Sequence, residues 1–332
     1  MAELQVSVII DTYNYGSFIE ESIDSVLSQE FPRDRMEVLV VDDGSTDDTA
    51  ARVKKYGSQV EYLYKPNGGQ ASAFNWGLNR ARGEIVFFLD ADDYWLPGKV
   101  QRVVSSFEDK SVGMVYHKYL LSDSAPSGSV PSHLDLVSGD VLRDMKSVLQ
   151  YRIFPTSCLA FRREALDRLL PVPADIRLQA DGYLALLIVF VAPVLGLSEY
   201  LTVYRMHGGN SYTVNTVRNT PEVQRQRRQI WNIIWEESHL WLARNGFDPG
   251  RREIRAFLDQ LLIFWESVEF PIIPPSRLQL FSHLLRYNRI HRSQQNWKLT
   301  VLNYLSAITA LARGYKRPNQ QIGMIPEGTR RA

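Results

Sequence analysis

Four short apolar runs, separated by segments of helical period and each giving way to polar residues, constrain this chain more than any other feature of its sequence. They are Val6 to Ile10, Val38 to Val41, Val60 to Tyr64 and Ile85 to Leu89. Val6 to Ile10 and Val38 to Val41 are near-continuous rather than alternating, the pattern of strands buried on both faces. Between them, Ile19, Ile23, Val26 and Leu27 recur at helical spacing behind Ser17 and Glu20, which read as a capping box, so a helix is predicted to about Gln29. A second helix is predicted to start near Asp47, and a third to cover Ala71 to Arg82, closed by Gly83. Such alternation predicts an α/β fold: a mostly parallel sheet flanked by helices, with right-handed crossovers.

The pattern changes after Asp93. Pro97 suits the first turn of another helix, and Val112 to Tyr116 reads as a strand. Residues 122–140 carry serine at 122, 124, 127, 129, 132 and 138 and proline at 126 and 131. They read equally as a mobile loop over a substrate or as a plain surface insertion. Past Asn215, tryptophans at 231, 235, 241, 265 and 297 recur in segments of helical period interrupted by Pro271, Pro274 and Pro275, so a helical C-terminal region is expected.

The chain has 332 residues, enough for a large core and two units of structure. Its single cysteine, Cys158, permits no intramolecular disulfide, and no basic-apolar-small leader opens the sequence. Both favour a reducing, cytoplasmic setting. The longest apolar run, Leu184 to Leu197, contains Pro193 and falls short of the roughly 20 residues that span a bilayer. No transmembrane helix is predicted. The net charge of +1 conceals an asymmetry: from residue 216 onward there are 18 Lys+Arg against 9 Asp+Glu, and before it 20 against 28. The basic rear suits an anionic membrane surface, a phosphate-bearing acceptor or the acidic front of the same molecule. Its arginines are scattered along helical segments without a nucleic-acid-binding module, which argues against nucleic acid as a partner.

Chemistry gathers where the strands end. Parallel pairing brings Asp11, Asp43 and the cluster Asp90-Ala91-Asp92-Asp93 to one edge of the sheet, where ligands of such sheets bind. Three carboxylates within four residues repel one another unless a cation or hydroxyl groups take up the charge, which points to a metal and ribose site; a solvated acidic turn is the alternative. An anionic nucleoside diphosphate needs a bridging divalent cation to approach this edge. The first turn, Asp11 to Gly16, lacks the G-x-G-x-x-G of a dinucleotide fold, and no Walker A lysine loop is present.

Val6 to Asn14, Val40-Val41-Asp42-Asp43-Gly44-Ser45-Thr46-Asp47, Asn67-Gly68-Gly69 with Ala73 and Asn75, and Leu89-Asp90-Ala91-Asp92-Asp93 together resemble the motifs of inverting glycosyltransferases of family 2. The resemblance covers about the first 100 residues and continues more weakly to about 212. It implies a GT-A type fold, with residues 1–115 binding a nucleotide-sugar donor, 116–215 binding the acceptor and carrying the catalytic residue, and 216–332 forming the helical region. In that scheme Thr12, Tyr13, Asn14 and Asp43 hold the nucleotide base, with Asn67, Gly69 and Asn75 also on the donor side. Asp90 binds ribose and Asp92 a divalent metal, Mn2+ or Mg2+. Asp93 supports either role or caps the next turn. Asp11 stands where the family more often has proline.

Asp181, in Leu178-Gln179-Ala180-Asp181-Gly182-Tyr183, falls where relatives carry the catalytic carboxylate; Ala180 replaces the usual acidic residue before it. An apolar wall beside Asp181 would raise its proton affinity, and it suits a helix N-terminus as well. Tyr204-Arg205-Met206-His207-Gly208-Gly209-Asn210-Ser211 resembles the family's closing segment, in which Arg205 faces the diphosphate and His207 completes the metal sphere. The implied activity is metal-dependent, inverting transfer from a nucleotide-diphosphate sugar, UDP-linked in most of the family, to a glycan or glycolipid hydroxyl in cell-surface polysaccharide synthesis. It implies a cytoplasmic enzyme, with peripheral contact at the inner membrane face and self-association left open. A sugar nucleotidyltransferase and a non-catalytic nucleotide-sugar binding protein are the alternatives.

Overall fold

The computed structural model describes residues 4–122, 128–129, 136–207, 220–269 and 275–291. The expected alternation is realised by β1 (Val6–Thr12), α1 (Gly16–Leu27), β2 (Met36–Asp42), α2 (Thr49–Val53), β3 (Glu61–Tyr64), α3 (Gln70–Arg80) and β4 (Ile85–Asp90). These strands pair in parallel in the order β3-β2-β1-β4. Both sheet faces are covered, which explains the continuous apolar runs. Val6, Val8 and Ile10 join Ile19, Ile23 and Val26 of α1 in one core cluster. On the opposite face α3 lies so close that a Cβ on Gly77 would stand 2.9 Å from Ile9 Cγ2 and 3.0 Å from Val41 Cγ2. Phe74 of α3 packs on Phe88 of β4 with ring centroids 4.4 Å apart.

Two local expectations are corrected. Ser17 and Glu20 form no capping box: α1 starts at Gly16 without a side-chain cap. Glu20 instead receives Arg52 Nη1 at 2.5 Å and Lys55 Nζ at 2.6 Å, two charge-assisted contacts that compete successfully for its carboxylate. Gly83 does not close α3, whose flanking residue Ala81 is already extended. It lies against β1, where its N–H donates to Ser7 Oγ at 2.7 Å.

The second half of the sheet is mixed. It adds β5 (Tyr94–Trp95), α4 (Lys99–Ser106), β6 (Met114–Ser122), β7 (Gly128–Ser129), α5 (Met145–Gln150), β8 (Leu159–Arg162), α6 (Arg163–Asp167), α7 (Ala180–Leu187) and β9 (Val194–Arg205). The order continues β4-β8-β6-β9-β5, with β7 on β6. β8 is antiparallel to both its neighbours, whereas β9 is parallel to β6. The apolar run Leu184 to Leu197 is divided between α7, a short 3-10 turn and β9. Among the described residues no helix is long and apolar enough to cross a membrane.

The chain divides into two compact units, one of residues 1–213 with 227–253, the other of 214–226 with 254–332. The first contains the whole sheet, which runs unbroken through residue 115. It also contains most of α8 (Pro221–Arg244), whose Trp231 and Ile234 lie within 4 Å of where a Cβ on Gly182 of α7 would stand. In the second unit, α9 (Arg252–Glu269) and α10 (Arg277–His291) are joined by ion pairs. Glu266 takes His283 Nδ1 at 2.8 Å as well as Arg286, and Arg289 Nη1 reaches Asp259 Oδ2 at 3.0 Å. Most of the segment 122–140, Gly208 to Ser211, Pro271, Pro274 and Trp297 lie outside the described residues.

A Cβ on Gly83 would stand 2.4 Å from Ser7 N and 2.5 Å from Val6 C, both backbone atoms that cannot yield without moving β1. Gly83→Ala is therefore expected to cost about 1–3 kcal/mol and to lower the thermal midpoint by about 2–12 °C, as overpacking does. An unchanged midpoint would contradict this packing.

Candidate active site at the acidic sheet edge

The register places the strand-end acids side by side: Asp11 of β1 opposite Asp90 of β4, and Thr12 opposite Asp42 of β2. Two loops beyond β1 and β2 are tied together. Asn14 N donates to Ser45 Oγ at 2.8 Å, Asn14 Oδ1 accepts from Thr46 N at 2.8 Å, and Gly16 N donates to Asp47 Oδ2 at 2.9 Å. Asn14 adopts φ 58°, a left-handed conformation that asparagine tolerates. The buried Thr12 accepts from Asp43 N through its carbonyl at 2.9 Å, and Tyr13 is 48% exposed above the loop.

Asp43 is buried and held from three sides. Its Oδ1 accepts from Lys65 Nζ and from Gly68 N at 2.9 Å, and its Oδ2 from Gly69 N at 2.7 Å. Gly69 has φ 86°, and a Cβ there would stand 2.6 Å from Arg177 Cα and from Arg177 O. The glycine pair thus serves two ends at once, delivering N–H groups to Asp43 and admitting the backbone of residue 177. Asn67 Oδ1 accepts from Arg177 Nη2 at 2.6 Å, and Gln70 N donates to Arg177 O at 2.8 Å. Asn75, expected among the donor-binding residues, is placed elsewhere. Its Nδ2 donates to Val172 O at 2.8 Å and its Oδ1 accepts from Val172 N at 2.9 Å. Its amide docks residue 172 onto α3, and we correct its assignment accordingly.

Ligand atoms of Asp90, Asp92 and Asp93 lie within 4.8 Å of one another. The strand β9 closes on them. Arg205 N donates to Asp93 Oδ1 at 2.9 Å, Arg205 Nε to Asp92 O at 2.8 Å and Arg205 Nη2 to Glu21 Oε2 at 2.6 Å. Its guanidinium also lies over the rings of Phe18 and Tyr94. Asp93 therefore fastens β9 to the cluster and caps no helix. His207 Nε2 stands 3.0 Å from Asp92 Oδ2, its ring stacked on Phe18 at 4.6 Å. The two residues expected to bind metal are thus brought together.

Burial, reinforced by the charges of Asp11, Asp92 and Asp93, holds the Asp90 carboxyl well above the usual carboxylate range. Burial and the charge of Asp92 do the same for Asp93, and burial raises Asp11. Asp11 Oδ1 and Asp93 Oδ2 are buried acceptors with no hydrogen-bond partner among the described residues. Clustered hard oxygen donors, buried acceptors without donors and an adjacent imidazole fit a divalent cation such as Mg2+ or Mn2+.

Asp181 lies in the first turn of α7, behind Gln179 at φ 61°. Burial raises its proton affinity, while hydrogen bonds from Gly182 N and from Thr156 oppose that shift. Its charge adds to the raised proton affinity of Asp11 and Asp90, so it lies near the same edge. Four supporting residues escaped sequence reading. Lys65 anchors Asp43. Ser157 Oγ accepts from Asp90 N at 3.1 Å, and its carbonyl accepts from Lys99 Nζ at 2.6 Å. Lys99 is fully buried over the Trp95 ring, and burial pulls its ammonium down to about 7. Gln70 joins Asp90 to the start of α7. Only Gln70 carried a signal, its place between the glycine pair and the helix.

The raised proton affinity of Asp90 fixes a sign. Its neutral form favours the metal-free fold below the ordinary carboxylate range, and that contribution is lost as pH rises through the raised value. With chelator present, Asp90→Asn should melt about 2–6 °C above the parent at pH 8, the gap closing toward pH 5. A variant less stable than the parent at pH 8, or a gap independent of pH, would refute this account of the edge.

Residues 7–170 match the family model described as glycosyl transferase family 2. An uncharacterised glycosyltransferase of Nostoc sp. is 34% identical over 232 residues, 63% of this chain and 67% of that protein. One of Rickettsia typhi is 38% identical over 121 residues, 36% of this chain and 37% of its own. Among solved structures, S. aureus TarS 1–349 in complex with UDP superposes with a TM-score of 0.64 at 19% identity, covering 94% of this chain and 92% of that one. The mannosyltransferase PcManGT of Pyrobaculum calidifontis in complex with GDP-Man and Mn2+ gives 0.57 at 22% identity, covering 95% and 89%. With the motifs of residues 6–93 carried on this sheet, the chain belongs to glycosyltransferase family 2 and has the GT-A type fold.

Proposed function

We propose that this protein transfers a sugar from a UDP-linked donor to a hydroxyl of a glycan or glycolipid, with inversion at the anomeric carbon and with help from a divalent cation. The juxtaposition of the Asp90, Asp92 and Asp93 cluster with His207, and with Asp181 near enough for its charge to act on Asp90, carries this reading. It gives the edge a place for a diphosphate and, near it, a carboxylate of raised proton affinity. The solved relatives support the donor class: TarS is also known in complex with UDP-GlcNAc, and PcManGT with GDP-Man and Mn2+.

Asp43 favours uracil over guanine. A carboxylate has about four lone-pair positions, and Lys65, Gly68 and Gly69 take three of them. The remaining position suits the single ring N–H of uracil, whereas the adjacent N–H groups of guanine call for both oxygens. Asp90 accepts from the ribose. Asp92 and His207, with Asp90 and Asp93 beside them, would hold the cation, which when bound offsets the charge of the leaving diphosphate.

Asp181 acts on the acceptor. It takes the proton of the attacking hydroxyl as the new carbon–oxygen bond forms on the face opposite the departing UDP, and the bond to the diphosphate oxygen breaks with its electron pair. Burial of that carboxyl holds its proton affinity up, as a base needs. Arg205, fixed over Phe18 and Tyr94, adds positive potential next to Asp92.

Thermal stabilisation by nucleotides tests the donor side. UDP with Mn2+ at about 100 times its dissociation constant should add about 2.7 kcal/mol, more than UDP with chelator and more than GDP with Mn2+. Equal or greater stabilisation by GDP would overturn the base assignment, and no shift with any nucleotide would overturn the donor reading. Asp181→Asn tests the chemistry: transfer should fall about 10²–10⁴-fold with UDP affinity within about threefold of the parent. An unaffected rate would remove Asp181 from the mechanism.

A further inference from the structure

Donor and acceptor sides of the edge come from segments far apart in sequence, and one side chain touches both. Gln70 is the first residue of α3, immediately after Gly69. Its Nε2 donates to Asp90 Oδ1 at 3.2 Å and to Thr156 Oγ1 at 3.4 Å. Its Oε1 accepts from Ala180 N at 3.0 Å, the first backbone N–H of α7. Thr156, itself buried, stands close enough to Asp181 to oppose the rise in its proton affinity.

The geometry points to Gln70 as a positioning residue that fixes the distance between the donor carboxylate Asp90 and the base Asp181, through the N-terminus of α7. This rests on the transferase reading above and deepens it. The chemistry explains the residue type. An amide alone among side chains of this length donates to a carboxylate at one end and accepts from a backbone N–H at the other. Glutamate would place another anion beside Asp90. Methionine fills the same space and makes neither contact. Gln70 need touch no substrate: in a direct displacement, a shift of about 1 Å between base and anomeric carbon costs rate on the order of 10²-fold.

The proposal separates rate from binding. Gln70→Met and Gln70→Glu, each checked for folding by thermal melting, are compared with the parent for UDP affinity by calorimetry and for transfer from the sugar nucleotide the parent uses. Gln70→Met should bind UDP within about threefold of the parent while kcat falls about 10–100-fold, because only the relative placement of donor and base is disturbed. In Gln70→Glu, which keeps the contact to Ala180 N and loses the one to Asp90, kcat should fall at least as far. An active parent with any folded Gln70 variant turning over within twofold of it overturns the proposal. So does a loss confined to UDP affinity with kcat unchanged, which would make Gln70 a donor ligand. A parent that transfers from no sugar nucleotide overturns the transferase reading instead, and the role of Gln70 with it.

Discussion

Mutual repulsion among buried carboxylates at one end of a parallel sheet is the constraint on which the rest of this structure depends. β1 and β4 bring Asp11 and Asp90 into register, and the turn after β4 adds Asp92 and Asp93. Burial alone would drive these groups to the neutral form, and their proximity adds to that pressure. The fold answers with donors at the margin: Gln70 on the Asp90 carboxylate, Arg205 N on Asp93, and the His207 ring beside Asp92, with buried Lys99 behind. The compensation is partial, since Asp11 Oδ1 and Asp93 Oδ2 keep no donor among the described residues. A site left short of positive charge in this way gains most from a ligand that brings some.

The second dependence is mechanical. The segment carrying Asp181 has no strand pairing to hold it at the edge, so its position comes from α3. Gly69 and Gln70 meet residue 177, Gln70 meets residue 180, and Asn75 grips residue 172. The glycine pair that presents N–H groups to Asp43 is also the surface on which this segment sits. Asp43 and the segment carrying Asp181 therefore share one short stretch of chain, and a change there disturbs both.

Much of the first half was legible in the sequence. The four strands, α1 and α3 fall within one or two residues of their apolar patterns, because hydrophobic periodicity acts locally and both sheet faces are buried. The errors share a cause. Glu20 found cations 32 and 35 residues away, Asn75 found the backbone 97 residues away, and Gly83 packed under β1, 76 residues back. No pattern within a window of a few residues encodes such partners.

The sequence by itself determined the sheet and the acidic edge with Asp90 and Asp92, because strand ends and their carboxylates follow from local pattern and from topology, whereas Asp181 and His207 were pointed to by resemblance to the family's motifs. Only the tertiary structure decided how those groups are held. It assigned Lys65, Gly68 and Gly69 to Asp43, gave Arg205 to Glu21 and the Asp92 carbonyl, and left Gln70 bridging Asp90 and α7. Hydrogen bonds of that kind are set by the distance between side chains after folding, and distance between residues remote in sequence is what a linear sequence does not state.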